Sequence, residues 1–115
     1  DWNPTQVKSL KEAHRALFQQ LQHKISLFTL SEHGMFAHDT KKSWQVPAHV
    51  RAIADVSGAG DTVISVFTLF YALSGNVLLS LQAANLAGGL VCEKPGVVPI
   101  DRKELENEFL SKFTA

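Results

Sequence analysis

Gly58 and Gly60, with Ala59 between them, run straight into Asp61 and an apolar stretch from Val63 to Leu73 broken only by Ser65 and Thr68. No other part of the chain constrains the fold as strongly. Glycine has no Cβ, so a turn built on Gly58 and Gly60 can take positive φ and bring its peptide N–H groups close to a bound oxygen. The apolar stretch is too short to span a membrane and predicts a buried helix beginning at about Asp61. The positive end of that helix faces the same way as the glycine turn, which makes an anion site. Asp61 adds a carboxylate able to take a proton from a hydroxyl that attacks phosphorus. On the residues alone a second reading stands equally well, in which the glycines are a tight connection and Asp61 a helix cap. The stretch lacks both the third glycine of a dinucleotide fingerprint and the Gly-Lys-Ser/Thr of a P-loop.

The rest of the chain predicts helices around a few short strands. Asn3 as N-cap, Pro4 at the first helical position and Gln6 three residues after the cap open a helix over Pro4 to His23, with Trp2 and Val7 as a hydrophobic staple. Val7, Leu10, Leu17 and Leu21 recur at helical spacing as its buried stripe, and His14 and His23 are expected to be solvated. Ile25 to Leu30 predicts a largely buried strand. After the turn Ser31-Glu32-His33-Gly34, the segments Met35 to His38 and Ser43 to Val46 flank polar residues and predict a β-hairpin closed by Pro47. Phe36 and Trp44 are expected to pack it, with adenine stacking by Trp44 or Phe36 as the alternative. Val50 to Ala54 is read as extended.

Because apolar residues fall on nearly every side of the helix after Asp61, it is expected to lie buried between layers. Ser74-Gly75-Asn76 ends it. A third helix covers Val77 to Cys92, where Ala83, Ala84, Ala87, Gly88 and Gly89 allow close backbone approach. The last helix, Arg102 to Phe113, is capped by Asp101. The pattern is α/β, with too few strands for a complete layered sheet.

Charge and cysteine usage narrow the partners. The 115 residues carry 11 basic and 11 acidic side chains with no basic cluster, so nucleic acid and anionic membranes are not expected partners. Cys92 is the single cysteine, which precludes an internal disulfide and agrees with a cytoplasmic location. It is expected to be a small buried residue rather than a nucleophile. His33 and His38 lie near one another, but neither cysteine partners nor a His-Glu-x-x-His pattern supports zinc. The chain starts at Asp1 rather than Met, as expected of a segment of a longer protein.

Asp55-Val56-Ser57-Gly58-Ala59-Gly60-Asp61-Thr62 resembles the C-terminal signature of the ribokinase-like, or PfkB, carbohydrate kinases. The resemblance implies that Gly58, Ala59 and Gly60 form the anion hole for the transferring phosphate and that Asp61 is the catalytic base. It further implies a monovalent cation such as K⁺ at the Asp55 side chain and the Ser57 carbonyl. Thr29-Leu30-Ser31-Glu32-His33-Gly34 resembles the family's nucleotide-bordering turn, Thr-Leu-Gly-x-x-Gly, with Ser31 in place of the first glycine. Ala84-Asn85-Leu86-Ala87 resembles the helix whose Asn lies near adenine, and Lys94-Pro95-Gly96 the Lys-x-Gly loop after it. Thr29, Ser31, Gly34, Asn85, Lys94 and Gly96 are thereby implied to border ATP, with Mg²⁺ as its companion ion.

Ser31 and the run Asp55 to Ile64 are closer to the heptose 7-phosphate kinases than to ribokinases or fructokinases. The family's N-terminal Gly-Gly motif, sugar contacts, β-sheet lid and Asn-x-x-Glu segment have no counterpart here. The resemblance therefore implies one domain over residues 1–115, the C-terminal, nucleotide-side fragment of a ribokinase-like three-layer α/β/α fold with a β-hairpin. The parent is expected to phosphorylate a phosphorylated sugar, and any homodimer contact through the lid lies outside this segment. The fragment alone is expected to be inactive. The rival readings are another sugar or nucleoside kinase of the family, and a non-catalytic nucleotide-binding module.

Overall fold

Leu10 and His14, one turn apart on the first helix, are both fully buried, and they set how the N-terminal part of the chain packs. The computed structural model describes residues 6–30, 33–48 and 56–113. Two compact units divide the chain, Asp1–Ala48 and His49–Ala115.

In the first unit, helix α1 runs over Val7–Leu21, with Gln6 as an extended N-cap that makes no side-chain cap bond. The helix therefore starts after the predicted Pro4; Trp2, Asn3 and Pro4 lie outside the described residues. It stops two residues before His23 because Gln22 turns left-handed, at φ 52°, and returns its N–H to the Phe18 carbonyl at 2.8 Å. The expected apolar stripe is only partly right. Leu10 is buried, but Leu17 and Leu21 are 43% and 65% exposed and Val7 is exposed too. His14 occupies the buried line in their place, contrary to the solvated position expected of it. Hydroxyls within hydrogen-bonding distance of both ring nitrogens remove the cost of burying the ring. His23, also expected in solvent, is half-buried.

Three strands follow as an antiparallel meander in the order β1 (Ser26–Thr29), β2 (Met35–His38) and β3 (Ser43–Val46). The hairpin has the predicted bounds. Leu27 and Phe28 are half-buried and Thr29 is exposed, so β1 is less buried than expected, because it is an edge strand. All of β2 is buried, as befits the central strand of a sheet on which α1 packs. Ser26 stands opposite His38 and Thr29 opposite Met35. Asp39 holds the hairpin turn, its carboxylate accepting the N–H groups of Lys41 at 3.0 Å and Lys42 at 2.7 Å. Val50 to Ala54 lies outside the described residues.

The second unit contains α2 (Ala59–Ser74), α3 (Val77–Cys92) and α4 (Arg102–Phe113). Helix α2 begins two residues before Asp61, since Gly58 itself is the left-handed N-cap. It is not sandwiched between layers as expected. Val63, Val66 and Phe67 are buried, whereas Ile64, Leu69 and Leu73 are exposed, because among the described elements α2 has α3 as its main partner. Gly75 ends α2 in a left-handed turn, and the Asn76 side chain caps α3 by accepting the Leu79 N–H at 3.0 Å. Ala83, Ala84, Ala87 and Gly88 are all buried, and α3 matches its predicted bounds. Cys92, its last residue, is half-buried rather than buried, since it lies at the end of the helix. Asp101 caps α4 through the Glu104 N–H at 3.0 Å, and Phe109 packs near Phe70 with ring centroids 6.1 Å apart. No helix among the described residues is long and apolar enough to cross a membrane.

Candidate active site

The left-handed turn at Gly58 (φ 77°, ψ −1°) aims the start of α2. Its carbonyl accepts the Thr62 N–H at 3.2 Å, and the Ala59 N–H closes a tight turn on the Val56 carbonyl at 3.2 Å. Helix geometry leaves the N–H groups of Gly60 and Asp61 without intrahelical acceptors, at the positive end of the dipole. A Cβ built on Gly60 would meet nothing within 4 Å, so the chain is open there to an approaching anion. A Cβ on Gly58 would instead stand 3.0 Å from Val97 Cγ1. One glycine therefore leaves open space and the other admits a neighbouring loop. Asp61 lies exposed in the same first turn of α2.

The Val97 contact brings two predicted motifs together. Val97 follows Gly96, which is itself left-handed at φ 77°, so the Lys94-Pro95-Gly96 loop borders the glycine turn. Lys94 Nζ lies 3.0 Å from Glu104 Oε2 on α4, with both side chains more than a third exposed. Glu104 and Val97 went unrecognised in the sequence. Glu104 stands three residues after the Asp101 cap, the spacing of a capping box, and only the fold reveals that its carboxylate points to Lys94. Asn85 is half-buried on α3.

Ser57 is exposed in the turn before α2, while Asp55 and Ser31 lie outside the described residues. In the first unit, exposed Thr29 ends β1 and Gly34 precedes β2, with the Leu30 N–H donating to the Gly34 carbonyl at 2.8 Å. Gly34 has φ 85°, and a Cβ there would collide with the backbone of Val46 to Ala48. That glycine therefore has a steric reason of its own, independent of any nucleotide. Among the described residues no group of three His, Cys, Asp or Glu side chains could hold a metal ion.

Residues 2–103 match the model of the pfkB family carbohydrate kinases. The chain belongs to the PfkB family. Among curated proteins, it is 38% identical over 108 residues to the bifunctional protein HldE of Methylobacillus flagellatus, covering 90% of this chain and 22% of the relative. With HldE of Coxiella burnetii strain RSA 493 it is 38% identical over 102 residues, covering 88% of this chain and 21% of that one. The chain thus spans about a fifth of the length of these relatives.

Solved structures share the fold. Arabidopsis thaliana ribokinase complexed with ribose and ATP superimposes with a TM-score of 0.81 at 25% identity, over 95% of this chain and 35% of that one. Escherichia coli phosphofructokinase-2 in complex with potassium gives 0.79 at 19% identity, over 96% and 36%. The four helices and the three-stranded meander are part of a ribokinase-like α/β fold.

Proposed function

We propose that this segment is the nucleotide-side portion of an ATP-dependent sugar kinase whose acceptor is a heptose 7-phosphate, on the route to the ADP-heptose of lipopolysaccharide. The observation that carries the reading is the left-handed Gly58 at the head of α2, with open space at Gly60 and the Asp61 carboxylate in the same first turn. Asp61 takes the proton of the acceptor hydroxyl, whose oxygen forms a bond to the γ-phosphorus as the bond to the β-phosphate oxygen breaks and ADP leaves. The N–H groups of Gly58, Ala59 and Gly60, oriented by the start of α2, stabilise charge on the phosphoryl oxygens. In this helix start the Ala59 N–H must give up the Val56 carbonyl to take part, whereas Gly60 is already open.

Thr29, Ser31, Gly34, Asn85, Lys94 and Gly96 border the nucleotide in this reading. Mg²⁺ arrives on the triphosphate. The side chain of Asp55 and the carbonyl of Ser57 hold a monovalent cation beside the anion hole. The heptose assignment draws on the 38% identity to HldE and on the Ser31 and Asp55 to Ile64 variants.

Asp61→Asn in the full-length protein carrying this segment tests the base. Turnover with heptose 7-phosphate is expected to fall by ~10² to 10⁴ with ATP affinity nearly unchanged. Turnover within a few-fold of wild type would remove Asp61 from the role. A panel of sugar and nucleoside acceptors on the same protein tests the substrate, and sugar phosphorylation by the 115 residues alone would overturn the fragment reading.

A further inference from the structure

Three histidines that the proposed chemistry does not use meet inside the first unit. The His14 ring centroid lies 4.4 Å from that of His38 on β2 and 5.2 Å from that of His23 beyond the end of α1. His14 Nδ1 is 2.7 Å from Ser26 Oγ and Nε2 is 2.7 Å from Thr40 Oγ1. Ser26 Oγ also lies 2.5 Å from His23 Nε2, so one hydroxyl bridges two imidazoles. His38 Nδ1–H donates to the Lys42 carbonyl at 2.6 Å. Neutral rings satisfy this network in one sense: His23 Nε2–H donates to Ser26, the Ser26 hydroxyl donates to His14 Nδ1, and His14 Nε2–H donates to Thr40. The buried His23 Nδ1 has no hydrogen-bond partner among the described residues, which suits the nitrogen that this sense of the network leaves without a proton to donate.

We propose that this cluster is an acid-sensitive latch: neutral His14, packed among His23 and His38, holds α1 against the meander, and its protonation releases the helix. Protonating His14 at Nδ1 forces the Ser26 hydroxyl to stop donating there, and puts a charge in a fully buried position between two further imidazoles. Few apolar contacts resist the release, since the buried residues of α1 are Ser9, Leu10 and His14 alone. The charges facing His14 favour the neutral ring. His38 and His23 oppose its protonation, Arg15 on α1 adds to them, and Asp39 in the hairpin turn acts the other way. Lys41 and Lys42 in that turn are exposed, and β1 contributes only the neutral Ser26.

Burial, followed by the neighbouring His38 and His23, lowers the His14 pKa from its ordinary 6.5. A lowered histidine value means that docking is undisturbed above 6.5 and weakens as pH falls from there through the lowered value, because released α1 binds the proton that docked α1 refuses.

Amide hydrogen exchange on the 115-residue chain between about pH 7.5 and 5.5 tests the latch, after correction for intrinsic exchange. Exchange at Leu10 to His14 is expected to rise by about 10-fold or more relative to Ala83 to Ala87 of α3, following ~10-fold per pH unit for one titrating group. His14→Gln keeps hydrogen-bonding capacity without a titrating proton and should flatten that rise. His38→Gln removes one neighbouring imidazole that opposes the His14 proton, so the rise should start at the same pH but level off sooner and reach a smaller total. Parallel rises in α1 and α3, the wild-type slope in His14→Gln, or a His14 NMR titration at or above 6.5 would each overturn the latch. Should His14→Gln not fold, an undiminished rise in His38→Gln overturns it equally.

Discussion

Gly88 on α3 faces Val63 on α2 so closely that a Cβ at Gly88 would stand 2.8 Å from Val63 Cγ2. The packing of α2 on α3 depends on this absent side chain. Gly88→Ala is therefore expected to cost about 1–3 kcal/mol through overpacking, despite the gain in helix propensity. Thermal denaturation measures the loss. Adding Val63→Ala should restore part of it, and strictly additive losses in the double variant would place the strain elsewhere.

Gly34 presents a harder constraint. Its φ of 85° disfavours any other residue, and the obstacle to a Cβ is backbone, the Val46 carbonyl and the atoms after it, which cannot rotate away. Gly34→Ala should destabilise the first unit by more than about 3 kcal/mol. Urea denaturation followed by near-ultraviolet signals from Trp44 in β3 would report it. A loss below about 1 kcal/mol would mean that the β3 end relaxes freely.

Asp39 gives the hairpin a second, more acidic window. The Lys42 and Lys41 N–H groups, with His38 nearby, hold its carboxyl below the ordinary 3.8 in spite of partial burial. A lowered carboxylate value means stability that is present above 3.8 and lost as pH falls through the lowered value. Asp39→Ala should cost ~1 kcal/mol at neutral pH and weaken the acid dependence below that point. Stability measured from about pH 7 to 2 separates this window from the histidine one, which opens near 6.5.

Several elements were legible because their signals are local. The polar Asp39 to Lys42 turn between two β-prone segments defined β2 and β3 at their observed ends, and Asn76, Gly75 and Asp101 marked helix boundaries by chemistry confined to one turn. The glycine signature resembles that of the PfkB family, to which the chain belongs, whereas on its residues alone the turn suited a tight connection as well as an anion hole. What stayed hidden depends on partners distant in sequence. His14 read as solvated because its hydroxyl partners lie 12 and 26 residues away.

The sequence, then, determined the family through its glycine signature, and directly the hairpin and the small-residue face of α3. Each is written in backbone preference or in contacts between near neighbours. The tertiary structure decided the pairing of β1 with β2, the burial of the histidine cluster, the approach of Val97 to Gly58 and the side of α2 that α3 covers. Those outcomes depend on which surfaces meet after the chain turns back on itself, and no periodicity within one helix or strand encodes its partner.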